Sequence, residues 1–166
     1  MSTAIIKEEA DGSFLVVNLR GLVNTRAPVR SALEQLRLAR RFNCTLVPDT
    51  PMFRGMLNVA KEHLAWRKAE AGIIEKLLLQ RGEKSNGRKF SENDLKALKQ
   101  YSSFSDLAKA LEAGKARLDG TQGMRSFFRL SPPRGGFRRS TRRPFEQGGV
   151  LGRNDQLDEL VERMIH

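Results

Sequence analysis

The strongest constraint on this chain is a stretch of 29 residues from Arg125 to Arg153. It holds eight arginines and a single acidic residue, Glu146, and so carries +7 of the formal net charge of +11. A segment with this much self-repulsion, glycine and proline cannot bury enough apolar surface to pack on itself. We therefore expect its counter-surface to be a polyanion.

Arginine and phenylalanine occur together in the centre of this stretch. The planar guanidinium binds phosphate with paired hydrogen bonds and stacks on bases, which favours RNA over DNA. Phe137 and Phe145 are either stacking platforms for bases or anchors that hold the segment to its own domain. We call residues 133–153 the basic arm. Within the stretch we expect RNA contacts at Arg129, Arg134, Phe137, Arg138, Arg139, Arg142, Arg143 and Arg153.

The length of 166 residues allows one hydrophobic core, because domains typically contain about 100 to 150 residues. The longest apolar runs, 14–17 and 77–79, are far shorter than the roughly 18 residues of a membrane span. The first residues become acidic where a signal peptide would turn apolar, so we expect a cytosolic protein. The single cysteine, Cys44, excludes an internal disulfide, and its apolar neighbours indicate a buried, inert thiol.

Two strands and two helices are predicted in the first part of the chain. Residues 14–19 form a short β-branched run between glycines, and apolar residues then recur at helical spacing after Pro28. Residues 44–47 predict a second strand that stops at a proline. Thr50 is expected to cap a helix that runs from Pro51 through Leu64.

The polar face of the first predicted helix is basic. Arg37, Arg40 and Arg41 lie on it. By itself, such a charge run fits a solvated face as well as a nucleic-acid contact, so these arginines are candidates of lower weight than those of the arm.

The rest of the chain predicts helices around 73–78, from Ser91 and from Ser105, a third strand at 126–130 and a last helix at 155–166. The predicted fold class is α+β, with a small sheet covered on one face by two helices. The predicted organisation is a flexible leader (1–13), an α+β core (14–66 with 125–132), an inserted helical lobe (67–124), the basic arm (133–153) and a C-terminal helix (154–166).

The residues supply no recognisable catalytic or metal site. The two histidines, His63 and His166, do not form a paired ligand motif, and no phosphate-binding glycine loop occurs. We therefore predict no enzyme, cofactor, metal or small-molecule substrate. Three alternatives stay open: a free-standing RNA-binding or RNA-chaperone protein, a nuclease using Asp49 or Glu62, and a DNA-architectural protein whose arm enters a minor groove.

Several runs resemble the large ribosomal subunit protein family "L-thirty", called "L-seven" in eukaryotes. They are residues 17–21 (VNLRG) with Asn24, residues 46–51 (LVPDTP) followed by 54–57 (RGML), and residues 128–137 (FRLSPPRGGF). The resemblance extends over nearly the whole chain. The long insertion before the third strand is similar to archaeal and eukaryotic members, and the missing basic N-terminal extension favours the archaeal form.

This resemblance implies a ribosomal structural protein with a three-stranded antiparallel sheet and two helices, a relative of the ferredoxin-like fold. It also implies binding to large-subunit rRNA near the 5S rRNA, contact with neighbouring ribosomal proteins, and a cytoplasmic location within the large subunit. Carried onto this chain, the rRNA-facing candidates are Arg20 and Arg26 after the first strand, Arg54, and the arm from Arg134 to Arg143. The acidic leader has no counterpart in the resemblance.

Overall fold

The computed structural model describes residues 11–118 and 123–166. Its strands are β1 (Ser13–Asn18), β2 (Asn43–Pro48), β3 (Leu64–Lys68), β4 (Phe128–Arg129), β5 (Ser140–Pro144) and β6 (Gly149–Arg153). Its helices are α1 (Ala27–Gln35), α2 (Pro51–Val59), α3 (Ala71–Arg81), α4 (Glu92–Ala97), α5 (Phe104–Glu112) and α6 (Leu157–Met164), with a short 3-10 helix at Phe145–Gln147. Residues 1–10 of the predicted leader lie outside the described residues, and its last residue, Ser13, begins β1 instead.

The sheet has six strands in the order β4-β2-β1-β3-β6-β5. β1 pairs antiparallel with both β2 and β3, β4 pairs antiparallel with β2, and β6 pairs parallel with β3 and β5. The α+β class is confirmed, but the prediction of three antiparallel strands is wrong. The sheet is mixed and twice as wide.

One face of the sheet packs against α1 and α2, as the sequence predicts. Val16 of β1 lies fully buried in this layer, together with Leu33 of α1 and Leu57 of α2. The apolar spacing of the two helices places these side chains on the inner stripe, and each helix begins with a proline in its first turn.

The other face is covered too, which corrects the prediction of a sheet covered on one face. Leu15 and Val17 alternate with Val16 and lie in a second core with residues of α3, α5 and α6. The inserted helices therefore do not form a separate lobe, because their apolar stripes share this core with the sheet. This burial explains the continuous apolar run in β1, because a strand with both faces buried has no solvent-facing positions for polar side chains.

The second helix is shorter than predicted, and β3 takes the place of its last turns. α2 ends at Val59, and Leu64, predicted as helical, pairs with Asn18 of β1. Met56, Leu57, Ala60 and Leu64 keep helical spacing, but a short apolar run also suits a buried strand. Pairing with β1 favours the strand, because β1 supplies the hydrogen bonds that the backbone of these residues would otherwise make within a helix.

The basic arm contains two strands, although its charge and proline content predict no regular structure. β5 lies at the outer edge of the sheet with side chains mostly exposed, and Pro144 ends it. An edge strand tolerates proline and charge because only one of its sides is paired. The amide donors of the arm are thus partly used by the sheet.

Local capping follows the sequence at some helices and not at others. Ser91 and Asp94 form the predicted capping box of α4. Ser103, rather than Ser105, caps α5 by accepting a hydrogen bond from the backbone N–H of Asp106. Thr50 precedes α2 but makes no capping hydrogen bond. In residues 11–118 and 123–166 we find no helix that combines the length and apolar character of a membrane span.

Candidate nucleic-acid interface

The strand directions bring several candidate arginines to one end of the sheet. β1 ends at Asn18 just before Arg20, and antiparallel β2 begins beside that end, just after Arg40 and Arg41. β4 runs antiparallel to β2, so Arg129 pairs with Asn43 at the start of β2. All these arginines are exposed. We call this region, with the loops that enter and leave it, the basic end.

Asn18 builds the turn that presents Arg20. Its side chain is fully buried, its Nδ2 donates to the carbonyl of Leu38 at 2.7 Å, and its Oδ1 accepts from the backbone N–H groups of Arg20 and Gly21. Gly21 has a φ of 77°, a conformation that residues with a side chain rarely adopt. A buried amide and a glycine therefore set the direction of the chain after β1.

Two arginines of the basic end are oriented by backbone carbonyls. Nη1 of Arg20 donates to the carbonyl of Glu62 at 3.2 Å, and Nε of Arg41 donates to the carbonyl of Leu19 at 3.0 Å. Each bond uses one of the five guanidinium donors and cancels no charge. Both side chains are held in place and keep donors for phosphate.

Phe42 joins the loop before β2 to the arm. Its ring stacks on Phe137 with centroids 6.3 Å apart, and the guanidinium of Arg41 lies over the same ring, 4.7 Å from its centroid. Its φ of 66° is unusual for a bulky residue. Hydrogen bonds from the N–H of Phe42 to Asn18 and from the N–H of Leu130 to Phe42 hold that conformation. Phe137 therefore makes the contact with its own domain that the anchoring role requires.

Helix α6 holds the root of the arm. Nη1 of Arg163 donates to the carbonyls of Arg134, at 3.3 Å, and Gly136, at 2.9 Å. In return the N–H of Arg134 donates to the carbonyl of Arg163 at 3.1 Å. Three hydrogen bonds and the Phe137 contact therefore fix where the charged part of the arm begins.

The charged part of the arm is open to solvent. Arg138, Arg139, Arg142 and Arg143 are exposed, and the guanidinium of Arg139 lies 4.6 Å from the ring centroid of Phe145. Within the described ranges 11–118 and 123–166, none of these four arginines takes part in an ion pair, whereas Arg125 is bound to Glu83 at 2.6 Å. Their charge is therefore not neutralised by described acidic side chains.

The remaining candidates lie in three different places. Arg26 follows Thr25, whose hydroxyl lies 3.1 Å from Nε2 of His63, close to the start of β3. Arg37 lines a small cavity beside the end of β2, with Arg117. Arg54 and Arg153 lie around Trp66, toward the opposite end of the sheet.

Arg54 has an acidic partner that the sequence did not predict. Its Nε binds the carboxylate of Asp49, whose side chain is 2% exposed, while the side chain of Arg54 is 58% exposed. This hydrogen bond and the charge of Asp49 raise the pKa of Arg54. Asp49 therefore binds an arginine, whereas the sequence suggested it only as a residue of the nuclease alternative.

Sequence reasoning missed some residues of the basic end. Phe42 and Arg163 position the arm, and Lys61 is exposed just before β3. The pair of arginines before Phe42 was a signal for that position. Lys61 was not predicted as a site residue because the sequence pattern placed it inside a helix. Arg163 was not predicted because its hydrogen bonds join segments that lie far apart in the chain.

The structure offers little chemistry for a nuclease. Glu62 is exposed on a loop, and Asp49 is bound to Arg54. In the part of the chain that is described, no three His, Cys, Asp or Glu side chains are grouped so as to hold a metal ion. Cys44 is fully buried, and burial raises the pKa of its thiol, so the nucleophilic thiolate is disfavoured.

Comparisons with known proteins agree with this architecture. The model of the family "Ribosomal protein L30p/L7e" matches residues 14–64, which run from β1 to the start of β3. "Large ribosomal subunit protein uL30" of Cenarchaeum symbiosum is 36% identical over 154 residues, 93% of this chain and 99% of that protein. The proteins of the same name from Methanothrix thermoacetophila and Methanopyrus kandleri are each 36% identical, over 91% and 89% of this chain and 99% and 100% of their own lengths.

These relatives align with 89 to 93% of this chain. Identity at this level over nine tenths of the chain extends well beyond the residues of the family model. The chain belongs to the ribosomal protein L30p/L7e family.

Proposed function

We propose that this protein is a structural constituent of the large ribosomal subunit that binds and stabilises rRNA through the basic end and the arm. The observation that carries the proposal is that exposed arginines from the loop after β1, the loop before β2 and strand β4 meet at one end of a single sheet, where the arm is anchored through Phe42. Family membership supports it, because the relatives are named as proteins of the large ribosomal subunit.

The geometry suits a folded RNA. Arg20, Arg41 and Arg129 lie at one end of the sheet, whereas the arginines of the arm lie in and just before β5, the outermost strand beside β6. A rigid cationic surface positions phosphates, and an extended arm follows a groove or a junction between helices. Under this proposal the contact residues are Arg20, Arg26, Arg37, Arg40, Arg41, Arg54, Arg129, Arg134, Phe137, Arg138, Arg139, Arg142, Arg143 and Arg153.

The role is one of positioning and charge neutralisation, without catalysis. Under this proposal the protein works in the cytoplasm as part of the large subunit and contacts neighbouring ribosomal proteins. We further propose that its rRNA site lies near the 5S rRNA, which rests on the family resemblance of the runs around Arg20, Arg54 and Arg134.

Sedimentation of cellular ribosomes through a high-salt gradient tests the proposed function, with this protein followed by mass spectrometry. We expect it to migrate with the large subunit. Release into the light fractions would instead favour a free-standing RNA-binding or RNA-chaperone protein. Crosslinking of the purified subunit followed by RNA sequencing tests the finer statement, since crosslinks confined to rRNA far from the 5S rRNA would contradict it.

A further inference from the structure

A cavity of about 640 Å³ lies beside Trp66, away from the arm. Trp66 of β3 and Phe14 of β1 line it on the face of the sheet that packs against α2, and Leu57 of α2 lines its side. Of the described residues in the apolar layer beneath α1 and α2, none comes from β5 or β6. The helices therefore leave Trp66 only partly covered, at the place where the sheet widens.

Cations surround this indole. Arg153 of β6 is the direct cross-strand partner of Trp66, and Lys68 is two residues along β3, so both share its face of the sheet. Arg54 reaches the same cavity and is held by Asp49. Among the described residues that line the cavity, Arg54, Arg67, Lys68 and Arg153 are basic and Asp49 and Asp155 are acidic, so basic side chains outnumber acidic ones.

An aromatic face in a cavity rimmed by cations has the chemistry of a nucleotide site. Ligand cavities are typically about 300 to 1,000 Å³, so the volume accommodates one nucleotide. A base stacks on an indole irrespective of its identity, while arginine and lysine bind the flanking phosphates. An acidic peptide would satisfy the cations but leave the indole without a stacking partner.

We propose that this cavity binds a single unstacked nucleotide of RNA, with the base on Trp66 and its phosphates bound by Arg153 and Lys68. This deepens the proposed function and rests on it, because it adds a second RNA contact at a distance from the basic end. It also assigns a role to Arg153, which does not lie at the basic end.

The chain has a single tryptophan, so its fluorescence reports on this cavity alone. The full-length protein would be titrated with hexaadenylate, with inorganic polyphosphate of similar charge and with polyglutamate. We expect saturable quenching by hexaadenylate and little change with the other two polymers. Equal quenching by polyphosphate would show a simple anion site, and a response to polyglutamate alone would show a protein partner; either result would overturn the proposal.

Substitutions locate the site. Arg153→Gln should raise the hexaadenylate concentration at the quenching midpoint roughly tenfold, because it removes a charged phosphate contact beside the indole. Arg88→Gln removes an equally exposed cation that does not line the cavity and serves as the matched control. An unchanged midpoint in Arg153→Gln contradicts the proposal, and circular dichroism checks that both variants fold.

The sedimentation experiment separates this inference from the proposed function. If hexaadenylate leaves Trp66 unquenched while the protein still migrates with the large subunit, the cavity proposal fails and the ribosomal role stands. If the protein leaves the subunit, the proposed function fails whatever the fluorescence shows.

Discussion

At the scale of single residues, two glycines of this fold differ in what surrounds them. A Cβ at Gly149, the first residue of β6, would collide with the backbone of Arg143, whereas a Cβ at Gly55 in α2 would meet nothing within 4 Å. The collision is with a carbonyl and not with a flexible side chain, so the arm would have to move away from β6.

We therefore expect Gly149→Ala to lower the free energy of unfolding by about 1 to 3 kcal/mol. Gly55→Ala, the matched control, should raise it by about 0.4 to 1 kcal/mol, because alanine reduces the entropy of the unfolded chain. Urea denaturation followed by circular dichroism measures both. A Gly149→Ala protein as stable as the wild type would show that the arm does not pack against β6.

His63 carries a predicted pH dependence. Burial, followed by the charge of Arg20, lowers its pKa below the usual value of about 6.5, although Glu62 acts in the opposite direction. The charged imidazolium is therefore disfavoured in the folded protein, where Nε2 lies 3.1 Å from the hydroxyl of Thr25.

The sign follows from proton binding. Above pH 6.5 the histidine is neutral in both states and costs no stability. As the pH falls below 6.5, the unfolded chain takes up a proton that the folded protein does not, so the free energy of unfolding decreases until the lowered pKa of the folded state is reached. We expect the free energy of unfolding, measured by urea denaturation, to fall less between pH 7.5 and 5.5 in His63→Gln than in the wild type. Parallel pH profiles for variant and wild type would contradict this.

At the scale of elements, the arm carries the largest block of charge without described acidic partners. Changing Arg138, Arg139, Arg142 and Arg143 together to Ala should reduce the slope of log affinity against log salt concentration by about 3 to 4 for purified large-subunit rRNA. The fold should persist, since these side chains are exposed. Filter binding over a series of salt concentrations measures the slope, and an unchanged slope would remove the arm from the binding surface.

The matched control changes four exposed cations that lie outside the arm and the basic end, namely Arg88, Lys96, Lys109 and Lys115. It has the same loss of net charge. We expect its salt slope to stay close to that of the wild type, which would show that position and not total charge governs binding.

The attachment of the arm to α6 has its own test. Arg163→Met keeps an apolar stem but loses the donors to the carbonyls of Arg134 and Gly136. We expect faster amide hydrogen exchange from Arg134 to Phe137 in the free protein and little change in β1. The composition of the arm predicts disorder before RNA binding, whereas the hydrogen bonds to Arg163 predict protected amides at its root in the free protein. Unprotected amides in the wild type would favour the disorder prediction, and equal protection in the variant and the wild type would exclude Arg163 as the anchor.

At the scale of the whole molecule, much of the architecture follows from local patterns. The apolar run of β1, the stripe of α6, the capping box at Ser91 and the buried Cys44 are confirmed. These features depend on side-chain spacing and composition alone, which a sequence displays directly. The first helix keeps its inner stripe but ends at Gln35, so Arg37, Arg40 and Arg41, predicted on its polar face, lie after the helix. The family resemblance, drawn from short runs near Arg20, Arg54 and Arg134, is confirmed by the comparisons.

The features that the sequence could not decide all depend on pairing between distant segments. The local sequence around Leu64 is compatible with a helix or a strand, and pairing with β1 makes it a strand. The local sequence of Ser140–Pro144 does not predict a strand, which forms because β6 lies beside it. Predictions from local sequence consider each segment by itself. The backbone groups of a strand, however, form hydrogen bonds with whichever strand lies beside it, and that neighbour can come from any part of the chain.

Charge, apolar spacing and motif runs were therefore enough to determine the α+β class and the family, and the charge of the arm predicts a polyanionic partner. The tertiary structure alone decided that the sheet is covered on both faces, that arginines from separate loops meet at the basic end, and that Trp66 stays open beside Arg153. The physical reason is that composition records how much charge or apolar surface a segment carries, while its direction and its neighbours are set by contacts between residues far apart in the chain.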